Sequence, residues 1–331
     1  MNLKFQYLIL MPMLILFNSI SLFMNSYFSL WMCMEISNLI FITMLTMNEK
    51  KKLNLYSYFI FQTISSMMLI LSIFKLNMNM NNNFNMIIIQ ISLMMKLGIM
   101  PFHSWMISIL KNSSWLMIFF FSTTQKFIPL IFLSKMNLLN NMIMLMIMLS
   151  IMISSMMCMK QTNLKKIISY SSITQSSWMM MMINLNFKMW LIYFIIYMNI
   201  MLIISIIMMI NKITNLKNMY FLNLNLKSKL MMILSIFSLM NLPPLTGMII
   251  KWSATEQLIN NYISMEFMLL ILMISSLLMM YNYLRMIMMN LFLKNFNFKT
   301  MKMLKLNLNF KLFLLMLMNI MIMYMYLFIS M

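Results

Sequence analysis

Aspartate and valine are missing from this chain, and it holds only one alanine, one histidine, two glycines, two cysteines, four glutamates and five prolines. A single histidine cannot supply a bis-histidine haem site. The two cysteines, Cys33 and Cys158, lie in separate apolar runs with no Cys-x-x-Cys to seat a cluster. The expectation is that this chain binds neither a redox cofactor nor a metal. Charge is scarce as well: 8% of residues are charged against 63% hydrophobic, too little polar surface for a soluble globule of 331 residues. The chain therefore reads as an all-α polytopic membrane protein. Its net charge of +20 does not point to nucleic acid, because lysines on a hydrophobic chain serve first to fix membrane orientation.

The residues whose codons begin with G (Gly, Ala, Val, Asp and Glu) total seven, whereas methionine alone counts 57. Such usage indicates a strongly A+T-rich coding strand, read with a code in which AUA also means methionine, as in animal mitochondria. The expectation is an organellar gene. A start without an Arg-rich amphipathic presequence agrees with synthesis inside the organelle.

At about 20 apolar residues per span, membrane helices are expected near 5–24, 27–47, 55–75, 86–103, 114–134, 140–158, 166–184, 189–211, 229–259 (broken), 264–289 and 310–330. That is about eleven helices in a single transmembrane domain, 1–331, with short Asn- or Lys-rich connections such as Asn79–Asn85. With this register eighteen of the 24 basic residues fall on the N-terminal side and three, Lys75, Lys135 and Lys188, on the other. The positive-inside bias places the N-terminus in the matrix. The last three, Lys96, Lys126 and Lys251, belong inside the membrane, where a lysine costs roughly 2.5–3.5 kcal/mol and marks an ion or proton path.

The rare residues gather around these lysines. Pro101, Pro129, Pro243 and Pro244 lie within eight residues of one of them, and so do Gly98 and Gly247. Interrupted helices with a polar residue at the break point to a midplane site in inverted-repeat transporter folds. The stretches pairing here are Lys96-Leu-Gly-Ile-Met-Pro101 and Pro243-Pro-Leu-Thr-Gly-Met-Ile-Ile-Lys251. A kinked helix whose lysine snorkels to the interface is the plainer account of Lys96. Of the acids, Glu49 sits in a lysine-rich loop and Glu266 opens a helix, where the dipole favours it. Glu35 lies about nine residues into its helix, roughly 13 Å deep, as a path group or as a neutral packed carboxyl. Glu256 reads equally as a path group or an interfacial carboxylate. His103 reads as a matrix-side proton relay or as the cap of a kinked helix end. The hydroxyl-rich run Ser169–Trp178 is either helix-packing glue or a wetted seam serving the buried lysines.

Five ordered blocks carry a family resemblance: Trp31-Met-Cys-Met-Glu35-Ile, Met95-Lys-Leu-Gly-Ile-Met-Pro-Phe-His-Ser-Trp105, Gln125-Lys126 with Pro129, Lys165-Lys-Ile-Ile-Ser-Tyr-Ser-Ser-Ile-Thr174, and Leu242-Pro-Pro-Leu-Thr-Gly-Met-Ile-Ile-Lys-Trp252. In order, and on to Tyr283-Leu-Arg285, they resemble the antiporter-like membrane subunits of respiratory complex I. The resemblance implies an inverted-repeat antiporter-like bundle with two broken helices, in the animal form that lacks three helices at the N-terminus. It implies proton translocation by an interacting Glu35–Lys96 pair, a central Lys126 and a distal Lys251. It also implies a mitochondrial inner-membrane location, and partners among the other membrane-arm and accessory subunits and lipids such as cardiolipin. FMN, Fe–S clusters and ubiquinone are expected in other subunits of such a complex. Two positions depart from the family: Thr174-Gln-Ser-Ser-Trp178 stands where relatives read Thr-His-Met-Gly-Trp, and Leu239-Met-Asn-Leu-Pro243 replaces a Gly-Gly before the double proline.

The mechanism expected is a charge switch. Burial disfavours an ammonium and a neighbouring carboxylate favours it. A charge about 8 Å away contributes roughly 2 kcal/mol at an effective dielectric of about 20, comparable with about 2.3 kcal/mol per charge for 100 mV. An independent cation/proton antiporter, or a scaffold whose buried charges only fix helix packing, are the other functional classes the residues allow.

Overall fold

The computed structural model describes residues 3–48, 53–78, 82–136, 141–216, 218, 226–242, 245–261 and 266–291. These residues form thirteen helices: α1 (Leu3–Phe23), α2 (Tyr27–Asn48), α3 (Leu53–Asn77), α4 (Asn82–Leu97), α5 (Ser104–Asn112), α6 (Trp115–Ser122), α7 (Thr124–Met136), α8 (Asn141–Met159), α9 (Leu164–Leu185), α10 (Phe187–Ile210), α11 (Leu226–Met240), α12 (Thr246–Asn261) and α13 (Glu266–Leu291). Among them the β contact is a single antiparallel bridge, Asn163 to Asn215. Six stretches are long and apolar enough to cross a membrane, among them Tyr27–Met47, Trp115–Met136 and Phe187–Ile210. Among the described residues the expected count of about eleven is therefore not confirmed. Helix breaks shorten some segments, and hydroxyls and lysines lower the hydropathy of α9. The expected helix at 310–330, the loop residue Glu49 and the prolines 243 and 244 lie outside the described residues.

The interruptions differ from expectation in number and place. Helix α4 stops at Leu97 instead of continuing to 103, because Gly98 turns left-handed at φ +66°. The amides of Gly98 and Ile99 then close on the carbonyls of Met95 and Met94, both at 3.2 Å, the pattern of a left-handed helix stop. Residues 104–112, expected to be loop, form α5. The expected continuous helix at 114–134 is split at Thr123. The hydroxyls of Thr123 and Thr124 accept the helix's offer of local partners, donating to the carbonyls of Phe119 (2.7 Å) and Phe120 (2.8 Å), which bends helices. Pro129 meanwhile has no N–H to give Gln125. With the break after α11 there are three interruptions among the described residues, not two. At that third break Asn241 adopts φ 60°. Asparagine tolerates this region best after glycine, so it serves where the expected Gly-Gly is missing.

The chain divides into two compact units, Met1–Ser154 with Ile168–Phe187, and Ser155–Ile167 with Lys188–Met331. In the first, the stretch Trp115–Met136 is 89% buried and forms the middle of the unit. An aromatic cluster ties its helices together. Trp105 of α5 lies 5.7 Å from Tyr58 of α3 and 5.7 Å from Phe121 of α6, ring centre to ring centre, and Phe41 of α2 lies 5.7 Å from Tyr58. Pairs of this kind contribute about 0.5–1.5 kcal/mol each beyond area burial, and here they seat α5 against the break it follows. In the second unit α12 starts close against the end of α11. A Cβ on Gly247 would lie 2.4 Å from the Ser238 carbonyl oxygen.

Both glycines are thus needed, for different reasons. Gly98→Ala meets left-handed strain of about 1–2 kcal/mol and the Met106 sulfur 2.9 Å from the new Cβ. Gly247→Ala meets backbone that cannot step aside. Both substitutions should lower the thermal unfolding midpoint of the detergent-solubilised protein, whereas Asn241→Gly should leave it unchanged or raise it. A Gly247→Ala protein that unfolds with the wild type would contradict the close approach of α12 to α11.

Candidate functional site

Glu35 sits on α2 and Lys96 on the last turn of α4, two residues before Gly98 at the break. The Lys96 Nζ donates to Glu35 Oε1 at 2.7 Å. The pair is in direct contact, closer than the separation of about 8 Å considered from the sequence. It is also lopsided: the lysine side chain is 2% exposed and the glutamate 26%. A buried ammonium joined to a carboxylate that is a quarter open communicates with its surroundings from the carboxylate side.

Lys126 is the third residue of α7, just past the break at Thr123, and is buried. Its Nζ reaches α9, where it donates to the Ser172 carbonyl at 2.7 Å, to Ser172 Oγ at 3.2 Å and to Ser176 Oγ at 3.4 Å. An ammonium carries three N–H donors, so these three oxygens match it one for one, and all are neutral. Ser172 and Ser176 are four residues apart and share a face of α9. Another face of the same helix carries Ser177, which exchanges a 2.7 Å hydrogen bond with Ser150 of α8. The hydroxyl-rich helix therefore joins helices on one face, as the packing reading of its sequence has it, and on another holds Lys126 directly with serine oxygens.

Beside Lys96 lies a small polar cavity lined by Ser37, Asn38, Gln62, Lys96, Gln125 and Pro129, with Met34. Gln125 Nε2 donates to the Ser37 carbonyl at 3.2 Å. The Tyr58 hydroxyl lies 3.5 Å from both Asn38 Oδ1 and Gln125 Oε1, and Asn38 Nδ2 lies 3.5 Å from Gln62 Oε1. These amides bridge α2, which holds Glu35, α3, and α7, which holds Lys126. Sequence reasoning missed Asn38, Tyr58 and Gln62. The available signal was spacing: Asn38 follows Glu35 by three residues and Gln62 follows Tyr58 by four, which puts each on a shared helix face.

His103 does not lie along a continuous helix past Lys96, as the expected span to 103 required. It occupies the N-cap position of α5 but caps nothing with its side chain. Its Nδ1 lies 3.3 Å from the Pro101 carbonyl and its ring 6.5 Å from that of Tyr170. In the second unit Lys251 is half-buried on α12 and Glu256, five residues on, is exposed. Glu35, Lys96 and Lys126 are thus brought into one unit, and Lys251 and Glu256 belong to the other. Among the described residues no group of histidine, cysteine or carboxylate side chains is placed to hold a metal ion.

The chain matches the family described as NADH:quinone oxidoreductase/Mrp antiporter, transmembrane, over residues 24–278. It is 30% identical to NADH-ubiquinone oxidoreductase chain 2 of Locusta migratoria over 287 residues, covering 80% of this chain and 82% of that protein. With the chain of the same name from Anopheles gambiae it shares 33% identity over 293 residues, 84% of each. Its fold is similar to that of a chain in respiratory complex I from Thermus thermophilus, with a TM-score of 0.75 at 17% identity, over 84% of this chain and 69% of that one. It is similar also to a chain of the Mrp complex from Dietzia, with a TM-score of 0.72 at 12% identity, over 83% and 58%. By the extent of the matched residues and the identity to relatives covered over four fifths of their length, the chain belongs to the NADH:quinone oxidoreductase/Mrp antiporter transmembrane family.

Proposed function

We propose that this chain is a core membrane subunit of respiratory complex I, set in the mitochondrial inner membrane as a multi-pass protein with its N-terminus in the matrix, and that it translocates protons through Glu35, Lys96, Lys126 and Lys251. The observation that carries this reading is the contact between a nearly closed-off lysine and a partly open glutamate, followed on the next buried helix by a lysine held only by neutral oxygens. Electron transfer takes place in other subunits, which carry FMN, Fe–S clusters and the ubiquinone site. Its partners are the neighbouring membrane-arm subunits, accessory subunits and inner-membrane lipids.

The residues of the first unit divide the work by charge. When Glu35 holds its negative charge, it stabilises the Lys96 ammonium. When Glu35 is neutralised, the ion pair that holds Lys96 is lost. Lys126 has no carboxylate among the three oxygens that hold it, so its charge state responds to the field of the pair through low-dielectric surroundings. A membrane potential of 100 mV is worth about 2.3 kcal/mol per charge, within the range that opening or closing one ion pair supplies. The half-buried Lys251 on α12 is the distal group of the second unit. Glu256, being exposed, fits an interfacial carboxylate, and His103, at the start of α5, fits a group on the matrix approach.

Four outcomes test this. Native electrophoresis of solubilised inner membranes with an NADH-oxidation stain should place the chain in the large NADH-oxidising assembly. If it ran only as a small inactive species, the independent antiporter would replace this reading. In that assembly Lys96→Met should lower the proton-to-electron ratio, and an unchanged ratio in a fully assembled complex would remove Lys96 from the path. Stability should follow the asymmetry of burial: Glu35→Gln leaves a buried charge alone and costs about 1–3 kcal/mol, reduced from the fully buried case because the carboxylate is partly open. Lys96→Met costs less, because the remaining carboxylate reaches solvent. Thermal inactivation of the two variants gives the order, and the reverse order would contradict it. Ser172→Ala with Ser176→Ala removes two of the three oxygens on Lys126, so the doubly substituted complex should pump less while assembling normally. Wild-type pumping in that variant would show that the α9 hydroxyls are packing groups only.

A further inference from the structure

The ends of α8 and α10 meet at a turn whose chemistry the proton path does not use. After α8 the chain runs Lys160-Gln-Thr-Asn-Leu-Lys165-Lys166, and after α10 it runs Asn211-Lys212-Ile-Thr-Asn215. These segments are about fifty residues apart in sequence. The Asn163–Asn215 bridge joins them, with Leu164 N donating to Thr214 O at 2.9 Å and Leu216 N to Thr162 O at 3.0 Å. Lys160, Lys165, Lys166 and Lys212 are thereby gathered at one edge of the second unit.

Arg285 of α13 fixes the same turn, donating from Nη1 to the Met159 carbonyl at 2.8 Å and from Nη2 to the Gln161 carbonyl at 2.7 Å. It meets carbonyls at the end of α8 that a nearby cation would otherwise be drawn to offset. Neither turn contains a carboxylate, and Lys160 and Lys212 are exposed. Directly beneath them on their own helices, Met156, Met157, Met209 and Ile210 are exposed by 50, 39, 41 and 44%. A cationic rim above an apolar wall is complementary to a molecule with an anionic head and hydrocarbon chains.

We propose that this turn is a binding site for an anionic phospholipid, its phosphate held by Lys160 and Lys212 with Lys165 and Lys166 alongside, and its acyl chains lying on the exposed last turns of α8 and α10. Basic pockets between membrane helices on the matrix side hold anionic headgroups for this reason. Arg285 is a positioning residue here: its guanidinium holds the turn in shape, with the exposed Lys160 and Lys212 at its rim. The site rests on the membrane placement argued above and not on proton transport, so loss of pumping activity would leave it standing.

The test is hydrogen exchange on the intact complex in nanodiscs of phosphatidylcholine, with or without phosphatidylglycerol. Peptides covering 156–167 and 209–218 should exchange more slowly when phosphatidylglycerol is present. Each lysine near a charged surface is worth about fivefold in partition, so Lys160→Gln with Lys212→Gln should abolish the difference while NADH oxidation stays at the wild-type rate. Equal exchange in the two lipid compositions would overturn the proposal, as would a doubly substituted complex that keeps the protection. Inorganic phosphate added to phosphatidylcholine nanodiscs should give no protection; if it protected these peptides as well as the lipid does, the site would belong to a free anion.

Discussion

The structure of this chain depends on one constraint: an ammonium placed within a membrane protein must have oxygen around it. Leaving it uncompensated in an apolar setting costs several kcal/mol. Two lysines of the first unit satisfy this in two ways. Lys96 takes a carboxylate from α2, a partner whose own charge changes when it gains a proton. Lys126 takes a backbone carbonyl and two serine hydroxyls from α9, partners whose charge never changes. The first arrangement is switchable and the second is fixed, and a path built from both has a group that changes state beside one that feels the change.

The helix breaks follow from the same requirement. Glycine, asparagine and threonine interrupt the backbone at Gly98, Asn241 and Thr123, and buried or half-buried lysines lie two, ten and three residues away. Unbroken helices satisfy all their own carbonyls and present only side chains to a neighbour. After a break a short helix such as α5 can take its own packing, and the Trp105 ring lies against Tyr58 of α3 and Phe121 of α6. The composition of the chain shapes how this is done. With two glycines available, asparagine takes one left-handed position and a pair of threonine hydroxyls bends another segment.

The amide cluster of Asn38, Gln62 and Gln125 with the Tyr58 hydroxyl shows how neutral groups serve a charged site. It links the helix that carries Glu35 to the helix that carries Lys126 without adding charge to either. Hydrogen bonds of this kind hold two helices in register in a setting where apolar contact with lipid competes with apolar contact between helices. Such residues are hard to single out in advance, because asparagine and glutamine in a membrane helix look alike whether they pack, cap or position.

The sequence by itself determined that this is a helical membrane protein, and it identified Glu35, Lys96 and Lys126 as the residues to watch, because a charge in an apolar run is costly enough to stand out. It also located the breaks at Gly98 and near residues 241–247 through their glycines and prolines, while the break at Thr123 was hidden: threonine bends a helix through a local hydroxyl contact that ordinary threonines also make. The tertiary structure alone decided that Glu35 touches Lys96 across 61 residues of chain, that Ser172 and Ser176 are the ones among many hydroxyls to hold Lys126, and that two basic turns fifty residues apart form one edge. Local physics sets which residues are expensive to bury. Which partner meets each of them is set by how helices cross, and that depends on the packing of all their side chains at once.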